Sequence, residues 1–134
     1  MCLLGCAGRR PADLGLTDGR LAPCPGSPNC VSSQADETAH RVDPLAFDGE
    51  PTAAWQALIQ VIEQLPRTRI VSRDDRYLHA ECRSRLWGFV DDLEAALEPA
   101  AGVIHLRSAA RLGHSDLGVN RRRIETIRRA FTGG

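Results

Sequence analysis

Asp91 and Asp92 stand side by side in "VDDLEAALEPAAGVIHLRSAARL", and Arg107 and Arg111 follow in the same stretch. Carboxylates set against guanidiniums can form ion pairs, supply a general base beside an electrostatic stabiliser, or frame the recognition of an anion. Register across a hairpin separates these uses. With Leu97 opposite Ile104, Ala95 faces Leu106, Leu93 faces Ser108 and Asp91 faces Ala110, which leaves one mainly apolar face. The opposite face then pairs Glu94 with Arg107 and sets Asp92 between Arg107 and Arg111. Such a face reads either as a solvated lattice of ion pairs, each worth a few tenths to about 1 kcal/mol, or as a functional surface. Asp91, turned toward the apolar side, requires a partner such as Arg123 or a backbone donor.

Arg121, Arg122 and Arg123 fall in the first turn of the last expected helix. Cations there oppose the helix dipole by about 0.3 to 1 kcal/mol per charge, so something must offset them. Pairing with Asp91, Asp92 or Asp116 is one answer. The other is an anionic ligand, held by arginines, Ser115 and the free N–H groups of the helix start. The candidate binding set is therefore Arg107, Arg111, Ser115, Asp116, Asn120, Arg121 and Arg123. Asp91 and Asp92 are the candidate general bases. His114 lies beside Ser115 and Asp116, but a triad is a matter of geometry rather than of neighbouring positions.

The elements that must position these residues follow from periodicity. "HRVDPLAF" suits a first strand. Trp55, Leu58, Ile59 and Ile62 recur at helical spacing, widened by Val61 and Leu65, which predicts a helix over 51–65 that Pro66 ends. "TRIVS" and "YLHAECRS" read as strands around the turn "RDDR", with Leu78, Ala80 and Cys82 on one face. "FVDDLEAAL" and "VIHLRSAARL" form the hairpin above. Ile124, Ile127 and Phe131 mark an amphipathic last helix capped by Asn120. The order β-α-β-β-β-β-α predicts an α+β domain, an antiparallel sheet of about five strands with two helices on one face. That order matches the TATA-binding-protein-like fold, also found in helix-grip folds, and fold alone does not fix function.

The chain of 134 residues suits one domain, and 43% hydrophobic with 25% charged residues excludes wholesale disorder. No apolar run reaches the roughly 20 residues of a spanning helix. All 17 basic residues are arginine, which codon bias explains more simply than a demand for bidentate binding. The net charge is zero, yet seven arginines face only Asp116 and Glu125 beyond Val103. Basic residues without interleaved aromatics do not suggest nucleic-acid binding. His40, His79, His105 and His114 lack ligand spacing, so no metal or cofactor is expected.

"LLGC" at residues 3–6 resembles a bacterial lipobox, which implies acylation of Cys6 and export, the alternative being an unmodified, frayed N-terminus. On that resemblance, residues 1–6 are the remnant of a lipoprotein signal, 7–21 a flexible tether and 22–134 the folded domain. Export permits disulfides. With Cys2 removed, Cys6 lipidated and Cys82 packed on an apolar strand face, Cys24 remains for Cys30 in "CPGSPNC". Metal ligation and unpaired or redox-active thiols are the alternatives, although the pair lacks C-x-x-C spacing and a second cysteine pair.

"CPGSPNCVSS", the pair "DD" and "RSAARLGHSDLGVNRRR" together resemble the signature of the domain of unknown function family 1499, over about Cys24 to Phe131. By that resemblance the positions of interest are Cys24, Asn29, Cys30, Asp91, Asp92, Arg107, Ser108, Arg111, Ser115, Asp116, Asn120 and Arg123. Ala110 stands where many relatives carry serine, which removes a hydroxyl role there. The family implies an envelope or lipoprotein-like setting and no particular activity. The expectation is a non-enzymatic, lipid-anchored envelope domain facing the periplasm or exterior. Its arginine-rich site would bind an anionic small molecule, a lipid headgroup or an envelope protein. The rivals are a small hydrolase or isomerase with Asp91 or Asp92 as base, marked by a deep pocket around a perturbed carboxylate, and an assembly factor, marked by an exposed apolar patch.

Overall fold

The computed structural model describes residues 8–85, 88–113 and 117–133. Its elements run β1 (Cys30–Ser32), β2 (Leu45–Ala46), α1 (Pro51–Glu63), β3 (Thr68–Arg73), β4 (Tyr77–Arg83), β5 (Val90–Glu98), β6 (Val103–Ala110) and α2 (Val119–Gly133). Antiparallel pairings order the sheet β1-β6-β5-β4-β3, and β2 shares the β6 edge with β1. The sheet is open, and the fold is α+β with both helices on one face.

Each element has a local cause. In α1, Pro51 supplies a fixed φ at the helix start, and Trp55, Leu58, Ile59 and Ile62 bury its apolar stripe. Trp55 also donates its indole N–H to the Asp74 carbonyl at 2.9 Å, tying the helix to the β3–β4 turn. The core lies between the helices and Leu78, Ala80, Cys82, Leu93, Ala95, Ile104 and Leu106 of the sheet. Burying each large aliphatic side chain contributes about 1.5 to 3 kcal/mol. Val61, Leu65 and Phe131 pack at its margin. Between β5 and β6, a 3-10 turn (Pro99–Ala101) ends at Gly102 with φ 67°, a left-handed conformation suited to glycine.

The β5–β6 register is the one expected: Leu97 with Ile104, Ala95 with Leu106, Leu93 with Ser108, Asp91 with Ala110 and Glu94 with Arg107. Three expectations shift. Cys30–Ser32 adds a strand, too short to show a period, that exists because β6 offers it an edge. The strand expected over "HRVDPLAF" contracts to two residues after Pro44, which has no N–H to give to a sheet. Asn120 does not cap α2, because the helix begins one residue earlier and turns the Asn120 side chain fully into the interior.

Candidate functional site

Alternation along three strands sends Tyr77, His79 and Glu81 of β4, Asp92 and Glu94 of β5, and Arg107 of β6 to the face away from the helices. Arg111 follows just past the β6 end. One of the two readings of this face was a solvated lattice of ion pairs. Instead Asp92, Glu94, Glu81, His79 and Arg107 are all buried, because residues 8–25 cross over it. Arg10 donates to Glu81 Oε2 at 2.9 Å, the Gly15 N–H to Glu94 Oε2 at 2.8 Å, and Arg107 Nη2 to the Pro23 carbonyl at 3.2 Å. Leu21 is buried alongside.

Buried charge is tolerated only when it is paired and hydrogen-bonded. Arg111 supplies most of that pairing. Its Nε and Nη2 take the two oxygens of Asp92 at 2.8 Å each, and Nη2 also reaches Glu81 Oε2 at 2.6 Å. His79 Nε2 lies 2.7 Å from Asp92 Oδ1. Arg69 donates to Glu81 Oε1 at 3.1 Å, and Arg83 stands 3.8 Å from it. Burial on its own would raise the Asp92 pKa, but the hydrogen bonds from Arg111 and His79 outweigh it and hold the carboxyl below its usual range. Burial likewise opposes, and Arg111 and Arg10 overcome, in bringing Glu81 down to about 2. Asp92 in turn holds the Arg111 guanidinium protonated more firmly than usual.

The next pair along is less complete. Arg107 Nη1 lies 3.6 Å from Glu94 Oε1, and among the described residues neither Glu94 Oε1 nor Arg107 Nε has a hydrogen-bond partner. The other Glu94 oxygen accepts from the Tyr77 hydroxyl at 2.5 Å. Burial first, and that carboxylate second, push the Tyr77 phenol above its ordinary pKa. Arg107 and Arg111 line a cleft of about 350 Å³ with Pro11, Asp13, Pro23, Cys24, Asn29 and Asp92. Cys24 and Cys30 form a disulfide that holds the Pro23–Pro25 wall of this cleft beside β1.

The expected binding residues do not form one site. Arg123 turns to the helix side of the sheet, pairing with Asp91 Oδ2 at 2.8 Å and donating to Asn120 Oδ1 at 2.7 Å and Ser108 Oγ at 3.1 Å. The Ser108 hydroxyl also donates to Asn120 Oδ1 at 2.6 Å, and Asn120 Nδ2 donates to the Asn29 carbonyl. Arg121 donates to the carbonyls of Ala39 and Arg41, both at 2.9 Å. These groups sit opposite Arg107 and Arg111, so Asp91 and Asp92, adjacent in sequence, serve different faces. His114, Ser115, Asp116 and Cys6 lie outside the described residues. Tyr77, His79, Glu81 and Arg10 were missed. The first three were signalled by their alternation with Leu78, Ala80 and Cys82, whereas nothing local marks Arg10.

A buried cluster of arginines and acidic residues, closed by a disulfide-held segment, is thus built from the motifs "CPGSPNC", "DD" and "RSAAR". The family model that describes proteins of unknown function (DUF1499) matches residues 20–131. The chain belongs to the DUF1499 family. This match spans the sheet, α1, the disulfide and α2 as far as Phe131, so the cluster's strand residues and Arg111 lie within the DUF1499 region, while Arg10 and Gly15 precede it. Comparison with curated proteins finds no match. Among the described residues no three His, Cys, Asp or Glu side chains are grouped to hold a metal, and no helix is long and apolar enough to cross a membrane. Cys82 is a free, buried thiol on the apolar face, and burial raises its pKa.

Proposed function

We propose that this DUF1499 chain is a non-enzymatic cell-envelope domain, anchored through Cys6, that binds an anionic group in the cleft beside Arg107 and Arg111. The observation that carries this reading is Arg107: a buried guanidinium that lines the cleft while its Nε has no hydrogen-bond partner among the described residues. Across the wider cluster five guanidiniums, those of Arg10, Arg69, Arg83, Arg107 and Arg111, meet the three carboxylates of Glu81, Asp92 and Glu94, while in the cleft lining itself Arg107 and Arg111 stand against Asp13 and Asp92. A volume near 350 Å³ suits a small molecule, a phosphorylated headgroup or one acidic side chain of a protein partner. Arginine recognises such planar or tetrahedral oxyanions through paired N–H donors.

The hydrolase or isomerase reading has less support. A general base works best with a pKa near the operating pH, and Asp92 is held below even the ordinary carboxylate range, with both oxygens engaged by Arg111. Asp91 is paired with Arg123 on the other face.

Calorimetric titration of inorganic phosphate, glycerophosphate and a dicarboxylate into the full chain tests the proposal. The control is the double variant E94Q/R107Q, which removes both charges of the incomplete pair together and so strands neither. Binding of one anion by the wild type and its loss in the variant is the expected result. Equal heats from the two proteins, with both folded by circular dichroism, would rule the cleft out.

A further inference from the structure

Five large apolar side chains are exposed among the described residues: Leu16, Phe89, Leu112, Leu117 and Val119. Four of them gather at one end of the sheet. Asp91 pairs with Ala110, and one step further the Arg111 N–H donates to the Val90 carbonyl at 3.1 Å, so Phe89 and Leu112 follow on neighbouring strand ends. Asn29 then links this end to the start of α2. Its Nδ2 donates to the Gly113 carbonyl at 2.7 Å, and its own carbonyl accepts from Asn120 at 3.3 Å, so the segment that follows Leu112 and the first turn of α2, which Leu117 precedes and Val119 opens, meet on Asn29. Leu117 is 83% exposed.

Among the described residues of the segments that carry these side chains, the exposed charges have one sign. In the stretches 8–10, 83–85, 88–90, 111–113 and 117–123 the described residues include Arg9, Arg10, Arg83, Arg85 and Arg122, all exposed, and no carboxylate. The N-terminal segment also arrives here. A Cβ placed on Gly8 would lie 3.0 Å from both Leu112 Cγ and Arg111 Cβ. Cys6, the proposed anchor, is two positions upstream of Gly8 in the sequence.

We propose that this end of the sheet lies on an anionic phospholipid bilayer, with Phe89, Leu112 and Leu117 entering the interface and the surrounding arginines meeting the headgroups. Exposed apolar side chains ringed by one sign of charge are what an interfacial surface requires, since apolar burial and attraction to anionic lipid then add. The inference rests on the envelope placement proposed above and is independent of the Arg107 cleft.

Flotation of the unacylated full chain with vesicles of phosphatidylcholine, with and without phosphatidylglycerol, tests it. The wild type should float with the phosphatidylglycerol vesicles and be released by salt. Leu117→Asp should weaken that association about tenfold, the loss of roughly one interfacial leucine. Leu117 has φ 54°, a conformation that aspartate adopts more readily than leucine, so the variant should fold. Phe89→Asp provides a second site on the other loop. Phosphate titration of Leu117→Asp should match the wild type, which separates failure of this surface from failure of the cleft. Absence of wild-type flotation, equal flotation of wild type and both variants, or a Leu117-dependent dimer in sedimentation without vesicles would each overturn the proposal.

Discussion

Arg111 and Asp92 form a two-bond fork, both contacts at 2.8 Å, and the same guanidinium reaches Glu81 at 2.6 Å. One side chain from the end of β6 therefore neutralises carboxylates on both β5 and β4. Arg10 donates to the same Glu81 oxygen at 2.9 Å from a half-exposed position.

The contrast between these two arginines sets the first expectation. Arg111→Ala leaves the buried Asp92 to His79 and the buried Glu81 to Arg10 and Arg69, and should cost about 3 kcal/mol in urea unfolding, chiefly through the loss of the Asp92 fork. Arg111→Lys keeps the charge but loses the fork, so it should fall between the alanine variant and the wild type. Arg10→Ala should cost under about 1 kcal/mol, because its guanidinium is half-exposed and the buried Glu81 keeps Arg111 and Arg69. Similar costs for the Arg111 and Arg10 alanine variants would contradict this reading of the cluster.

Acid should weaken the fold in a defined window. Glu81 has a folded pKa of about 2 against its ordinary 4.5, and Asp92 is shifted in the same direction. Above pH 4.5 Glu81 is ionised in both states and its stabilisation is complete. As pH falls below that value the unfolded chain takes up the proton first, so stability declines until the folded group protonates near 2. Urea midpoints measured across that range should drop more steeply for the wild type than for Glu81→Gln, and parallel curves would show that Glu81 does not carry the effect.

The Cys24–Cys30 disulfide should stabilise the domain by constraining its unfolded state. Closing so short a loop is worth about 2.4 kcal/mol by chain entropy. Its removal also frees the wall that carries the Pro23 carbonyl, the acceptor for Arg107. Cys24→Ser/Cys30→Ser should therefore lower the urea midpoint and weaken anion binding in the cleft together. A lower midpoint with unchanged binding would confine the bond to stability.

What could be read from the chain alone is what depends on near neighbours. The period of two along residues 91–97 and 104–110 gave the hairpin one register with two sensible faces, and that register is present. The need of an apolar-facing carboxylate for a partner pointed to Arg123, and the pair exists. The helix stripe at Trp55, Leu58, Ile59 and Ile62 was equally plain. A three-residue strand such as Cys30–Ser32 has no period to detect, and only the free edge of β6 makes it a strand.

The site was legible in its members and not in its arrangement. Composition and motif drew attention to Arg107, Arg111, Asp92 and Arg123, but they could not show that Arg123 belongs to the opposite face, because that depends on how α2 docks on the sheet. They also could not show that the charged face is buried. Residues 8–25 carry no amphipathic period, and their contacts with Glu81, Glu94 and Arg107 lie 71, 79 and 84 positions apart in sequence. Local alternation thus determined which side chains share a face. Only the tertiary path of the N-terminal segment decided whether that face meets water, since covering it depends on contacts that no short window of sequence contains.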